Sequence, residues 1–112
     1  MQKFDYRSPR FPVDLPVEFT VQEATLIARC IEISKEGIRL ELQEPLPPNA
    51  FGTVSISYQG RTLHLNMRIA HVGETHSGME FIYKSDSERN AVAHLITALS
   101  DSAGRRRPVL LN

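Results

Sequence analysis

Cys30-Ile-Glu-Ile-Ser-Lys-Glu-Gly-Ile-Arg-Leu-Glu-Leu42 reads as a strand, a tight turn and a second strand. Ile31 and Ile33 alternate with polar neighbours before the turn at Ser34 to Gly37, and Ile38, Leu40 and Leu42 alternate after it. A period of two on both sides of a short polar turn predicts a β-hairpin, with Gly37 supplying the freedom in φ that so short a loop usually needs. Glu32, Ser34, Lys35 and Glu36 gather at one end of it. Such a tip is either plain turn chemistry or the rim of a site.

The same alternation continues on either side. Residues 17–21 read as a half-buried strand and 22–24 as a turn. Residues 25–34 form a β-branched second strand that enters the hairpin, and 37–42 are its return. Prolines at 45, 47 and 48 make 44–49 a loop. Residues 53–58 place Val54, Ile56 and Tyr58 on one face, Gln59-Gly60 is a two-residue turn, and 61–72 place Leu63, Leu65, Met67 and Ile69 on one face. After a turn at 73–77, Gly78-Met-Glu-Phe-Ile-Tyr83 is the sixth strand. The period then changes. Ser85-Asp-Ser-Glu88 is a capping box, and Val92, Leu95, Ile96 and Leu99 share one helical face. The helix is expected to end near residues 100–103, with Gly104 as its cap. Six short strands and a late amphipathic helix predict an all-β domain, an antiparallel barrel or a sandwich.

The chain has 112 residues, enough for one core. The domain is expected to comprise an extended arginine-bearing arm at 1–12, a barrel with its helix at 13–100, and a mobile basic-then-apolar tail at 101–112. A formal net charge of zero gives no global field toward nucleic acid or membrane, and neither DNA or RNA binding nor membrane insertion is expected. The lone Cys30 allows no intrachain disulfide, and the first residues lack the apolar segment of a signal peptide, so a cytoplasmic setting is expected.

Catalytic chemistry is not evident. No glycine-rich phosphate loop occurs, and His64, His71, His76 and His94 lack zinc-ligand spacing. Cys30 in a strand reads as a small apolar core residue, and no nucleophile elbow surrounds Ser34. A non-enzyme without metal or cofactor is expected. Arg7 and Arg10 are more informative, because planar guanidiniums bind phosphate bidentately and match the O6/N7 edge of guanine. On two arginines alone, a solvated basic terminus is the better explanation, and Arg105, Arg106 and Arg107 read the same way.

Taken together, the chain resembles the PilZ domain family of cyclic di-GMP receptors over roughly residues 5–99. Three places carry the likeness. Arg7-Ser-Pro-Arg10 leads into the first strand. Glu32-Ile-Ser34-Lys-Glu-Gly37 follows the family's Asp/Asn-x-Ser-x-x-Gly, and Gly78-Met-Glu-Phe81 its Gly-x-x-Phe. The resemblance implies a six-stranded antiparallel β-barrel with a C-terminal helix. It also implies a ligand, cyclic di-GMP, held between the arm and the hairpin.

By that resemblance Arg10 matches the second arginine of the family's Arg-x-x-x-Arg and would bind guanine or phosphate. Ser34 would bond at the same site, and Gly37 would let the backbone approach. Tyr6 stands where the family has its first arginine, with Arg7 one residue later, and Tyr6 can stack on a base. Glu32 replaces Asp or Asn and keeps an acceptor for the guanine N1–H and N2–H₂ edge. The expected site is Arg7, Arg10, Glu32, Ser34 and Gly37, with Tyr6 as a stacking candidate. The implied function is a receptor, monomer or weak dimer, that orders its arm on the ligand and signals to a protein effector. The alternative is a divergent adaptor with weak or no nucleotide binding, and a general oligonucleotide-binding barrel ranks below both.

Overall fold

The alternating segments close into a barrel in the computed structural model, which describes residues 8–42 and 44–109, with 102–109 described by backbone alone. The elements are β1 Phe11–Val21, β2 Ala24–Ile33, β3 Gly37–Glu41, β4 Phe51–Tyr58, β5 Arg61–Val72, β6 His76–Ile82 and α1 Asp86–Val109. The strands pair antiparallel in the closed order β1-β2-β3-β6-β5-β4. Closure gives each strand two neighbours over part of its length, so no strand lies wholly at an edge as in a sandwich. Of the two architectures open to the sequence, the barrel is the one formed.

The inward face of each strand supplies the core. Phe19, Leu40, Val54, Ile56, Met67 and Ile69 are all essentially sealed from solvent, each worth about 1.5–3 kcal/mol of burial. The helix packs Val92, Ile96 and Leu99 inward at the expected spacing, against β1 and β5. Its start is tied as a capping box. Glu88 N–H donates to Ser85 Oγ at 3.4 Å, and the returning carboxylate accepts from Lys84 N–H at 2.9 Å, one residue earlier than the motif predicts.

Two boundaries differ from expectation by more than two residues. β1 starts at Phe11, not at 17, so the arm gives way to strand before Pro12. Prolines at 12 and 16 are tolerated because this half of β1 pairs with β2 alone, β4 joining only from Val17. The helix does not stop at 100–103 but continues through Gly104 to Val109. An interior glycine costs about 1 kcal/mol relative to alanine, which weakens a helix without ending it.

The β1–β2 and β4–β5 hairpins turn through paired positive φ, at Gln22 (51°) and Glu23 (69°) and at Gln59 (53°) and Gly60 (80°). Such turns suit Asn-Gly, and left-handed backbone costs an ordinary side chain about 1–2 kcal/mol. The double substitution Gln22→Asn with Glu23→Gly is therefore expected to stabilise the fold by about 1 kcal/mol, read as a higher urea midpoint. An unchanged midpoint would show that the turn carries no such strain.

Candidate functional site

Two irregularities in the barrel wall build the site. Inward alternation along β2 buries Ala28 and Cys30, and a strict period of two would bury Glu32 next. The register instead slips between Cys30 and Glu32, so that Cys30 faces Leu40 and Glu32 faces Arg39. The extra residue, Ile31, is left half-buried, out of the alternation that the sequence suggested for it, and Ile33 turns inward at 1% exposure. A bulge thus re-aims Glu32 onto the outer face. The second slip, in β5, lies between Ile69 and His71, and turns His71 outward opposite Gly78.

The strand order then aligns these outward residues. Glu32, Arg39, Gly78 and His71 are successive partners across β2, β3, β6 and β5. In the adjacent row toward the hairpin tip, Gly37 pairs with Glu80 and Glu80 with Arg68. With Arg10, Ser34 and Glu36 they line a groove of about 550 Å³, a size that accommodates small-molecule ligands. Among the described residues this groove brings together Arg10, Glu32, Ser34 and Gly37. Arg7 and Tyr6, the remaining expected site residues, lie outside the described residues.

Charge in the groove is balanced. Glu32 Oε1 lies 3.7 Å from Arg10 Nη1 and 3.6 Å from Arg39 Nη1. These ion pairs are longer than hydrogen bonds and partly exposed, so each is worth at most about 1 kcal/mol and is readily exchanged for a ligand contact. Arg68 is held more tightly, with Nε and Nη2 donating to Glu80 Oε1 at 3.1 and 2.7 Å.

The hairpin tip is fastened on three sides. Ser34 Oγ accepts from Glu36 N–H at 3.1 Å and donates to Glu36 Oε1 at 3.2 Å, while Ser8 donates to Glu36 Oε2 at 2.6 Å. The Ser8 bond is the main cause holding the Glu36 carboxyl below its ordinary pKa; partial burial opposes it and Ser34 adds to it. Tyr83 donates its hydroxyl to the Lys35 carbonyl, and burial pushes that phenol up to about 12. Arg89 of α1 lies 4.9 Å over the Tyr83 ring, joining the tip to the helix.

Gly37 is required for a reason other than the one its turn suggested. Its φ is not positive, but a Cβ there would run into the Met79 carbonyl oxygen of β6. The glycine permits close strand approach rather than an unusual turn.

Sequence reasoning missed Arg39, Arg68, His71 and Glu80 as groove residues. Arg39, Arg68 and Glu80 had a weak signal, being the polar partners between buried neighbours: Arg39 between Ile38 and Leu40, Arg68 between Met67 and Ile69, Glu80 between Met79 and Phe81. Alternation reports that they face outward but not that they face one another.

Cys30 takes no part in the groove. It is 1% exposed, and its Sγ donates to the Glu32 carbonyl at 3.3 Å. Burial, opposed by backbone hydrogen bonds, pushes the thiol up to about 12. The protonated thiol is favoured by folding, so its contribution is full below the ordinary thiol range and is lost as pH rises toward 12. Reaction with Ellman's reagent at pH 8 is expected to be at least a hundredfold slower in the native protein than in urea. Comparable rates would mean that the strand opens readily.

The family model described as PilZ domain matches residues 5–98. No curated protein matches the sequence. Among solved structures, the PilZ domain of CeSA from a cellulose-synthesising bacterium aligns with a TM-score of 0.74 at 20% identity, covering 83% of this chain and 99% of that one. YcgR from Escherichia coli, solved in complex with c-di-GMP, aligns with a TM-score of 0.75 at 17% identity, covering 95% of this chain and 50% of that one. The Bacillus subtilis inhibitor of motility (MotI/DgrA) aligns with a TM-score of 0.65 at 15% identity, covering 96% of this chain and 53% of that one. The chain thus spans about half the length of the latter two. At these identities the likeness is one of fold.

Proposed function

The chain belongs to the PilZ domain family, and from that premise we propose that it is a cyclic di-GMP receptor whose ligand lies in the groove between the Arg10 arm and the β2–β3 hairpin. The observation that carries the reading is the convergence of Arg10, Glu32, Ser34 and Gly37 on one groove of about 550 Å³. YcgR, a solved neighbour, holds this ligand.

The chemistry follows from the donor set. The Glu32 carboxylate accepts from the N1–H and N2–H₂ edge of a guanine. Arg10 offers a fork to O6/N7 or to phosphate. Loose ion pairs at Glu32 exchange for these contacts at little cost. Ligand bridging between Arg10 and Glu32 fixes the arm, with Arg7 in it, against the hairpin, and the altered surface is what a protein effector reads. The Lys35–Tyr83–Arg89 chain of contacts gives the hairpin tip a mechanical route to α1. No helix among the described residues is long and apolar enough to cross a membrane.

Isothermal titration with cyclic di-GMP at low salt tests the reading. Saturable heat at micromolar or lower Kd is expected, and no heat at tens of micromolar protein sinks it. A second reading has its own observation. Glu32 is already shared by two arginines and the Ser34 hydroxyl is spent on Glu36, so these two expected ligand contacts are engaged without a ligand. A protein-binding adaptor without nucleotide would look the same. A pull-down whose partners do not change with cyclic di-GMP favours that alternative.

A further inference from the structure

Arg68 is the best-oriented guanidinium in the groove. Besides its two bonds to Glu80, Nη1 donates to Asn49 Oδ1 at 2.8 Å. Acceptors from β6 and from the loop before β4 therefore fix its plane, whereas Arg10 and Arg39 meet their carboxylate only at 3.7 and 3.6 Å. Three of its five N–H groups are spent in this way, and among the described residues two have no partner. A guanidinium held in place before binding loses little further freedom when it engages a ligand.

Its place relative to Glu32 matters equally. Arg68 is on β5 and Glu32 on β2, three strand spacings apart in the barrel order. That is about 14 Å at the usual interstrand distance. The floor between them is low, formed by Gly78 and Ala70, with a Cβ at Gly78 just touching the His71 Cβ at 3.6 Å. A single nucleotide seated on Glu32 and Arg10 leaves the far end empty. Two linked nucleotides reach both ends.

Resting on the receptor reading above, we propose that Arg68, positioned by Glu80 and Asn49, is the far-end anchor of the groove and discriminates a dinucleotide from a mononucleotide. The chemistry it takes is an adjacent pair of acceptors, supplied by phosphate oxygens or by the O6/N7 edge of the second guanine.

Titration of wild type, Arg68→Ala, Arg68→Lys and Glu80→Gln with cyclic di-GMP and with GMP tests this, with thermal melts confirming that each variant is folded. Arg68→Ala is expected to weaken cyclic di-GMP at least tenfold and GMP less than twofold, and Arg68→Lys to weaken cyclic di-GMP nearly as much. Glu80→Gln keeps an acceptor for Arg68 while removing a negative charge, and is expected to tighten cyclic di-GMP two- to fivefold at low salt. It also keeps the proposal testable if Arg68→Ala does not fold. A 7-deazaguanine analogue separates the two acceptor sources, since the Arg68→Ala penalty persists if phosphate is bound and shrinks if the guanine edge is. Unchanged cyclic di-GMP affinity in Arg68→Ala, equal losses for both ligands, or unchanged or weaker binding by Glu80→Gln overturns the proposal alone. A wild type that binds no cyclic di-GMP overturns the receptor reading, and this proposal with it.

Discussion

Arg10→Ala is expected to weaken cyclic di-GMP binding by roughly tenfold to a hundredfold, since a charge-assisted hydrogen bond is worth about 1.5–3 kcal/mol. The loss should be confined to binding. Among the described residues the Arg10 side chain makes one ion pair, at 3.7 Å, and is 49% exposed, so its removal shifts stability by about 0.5 kcal/mol at most. Arg10→Lys separates charge from shape. It keeps the positive charge but loses the planar fork, and its affinity should fall between wild type and alanine. Ser34→Ala is expected to cost less, because that hydroxyl already serves the turn through Glu36. Calorimetric titration at two salt concentrations reads all three. An Arg10→Ala protein that binds as wild type does would remove the arm from the site.

The second large effect is on the barrel itself. Gly37→Ala places a methyl group against the Met79 carbonyl oxygen, a backbone atom that cannot swing aside as a side-chain end can. Either β3 and β6 separate at the rim of the groove or the hairpin tip is displaced. The expected cost is about 3 kcal/mol, at the upper end of overpacking penalties, and for a domain of this size that lowers Tm by more than about 10 °C. Cyclic di-GMP binding should fall as well, since Gly37 pairs with Glu80 beside the groove. Gly78→Ala is the control, because its Cβ would meet only the His71 Cβ at an ordinary 3.6 Å and should leave the melt almost unchanged. If the two alanine variants melt together, close strand approach is not what Gly37 provides.

The contrast between these glycines shows where sequence reading stops. Gly37 was visible as a turn glycine in a hairpin, and the hairpin is present. Its steric role depends on β6, some forty residues away in the chain and adjacent only once the barrel closes. Arg10, Glu32, Ser34 and Gly37 could be selected as a site because they fall on a family's motif. Arg39, Arg68 and Glu80 could not, because each belongs to a different strand and carries no local pattern beyond alternation.

Binary patterning determined the strands, the order of elements and the inward residues of β4 and β5, since a period of two leaves one choice of face for Val54, Ile56, Leu65 and Met67. The capping box and the Val92–Ile96–Leu99 spacing determined where the helix begins and which side it buries. Tertiary structure decided closure into a barrel over a sandwich, the start of β1 at Phe11, and the two bulges that turn Glu32 and His71 to the outer wall. Local sequence sets which side of a strand is apolar. It does not set which strands become neighbours or where a register slips, because those depend on the packing of all six strands at once.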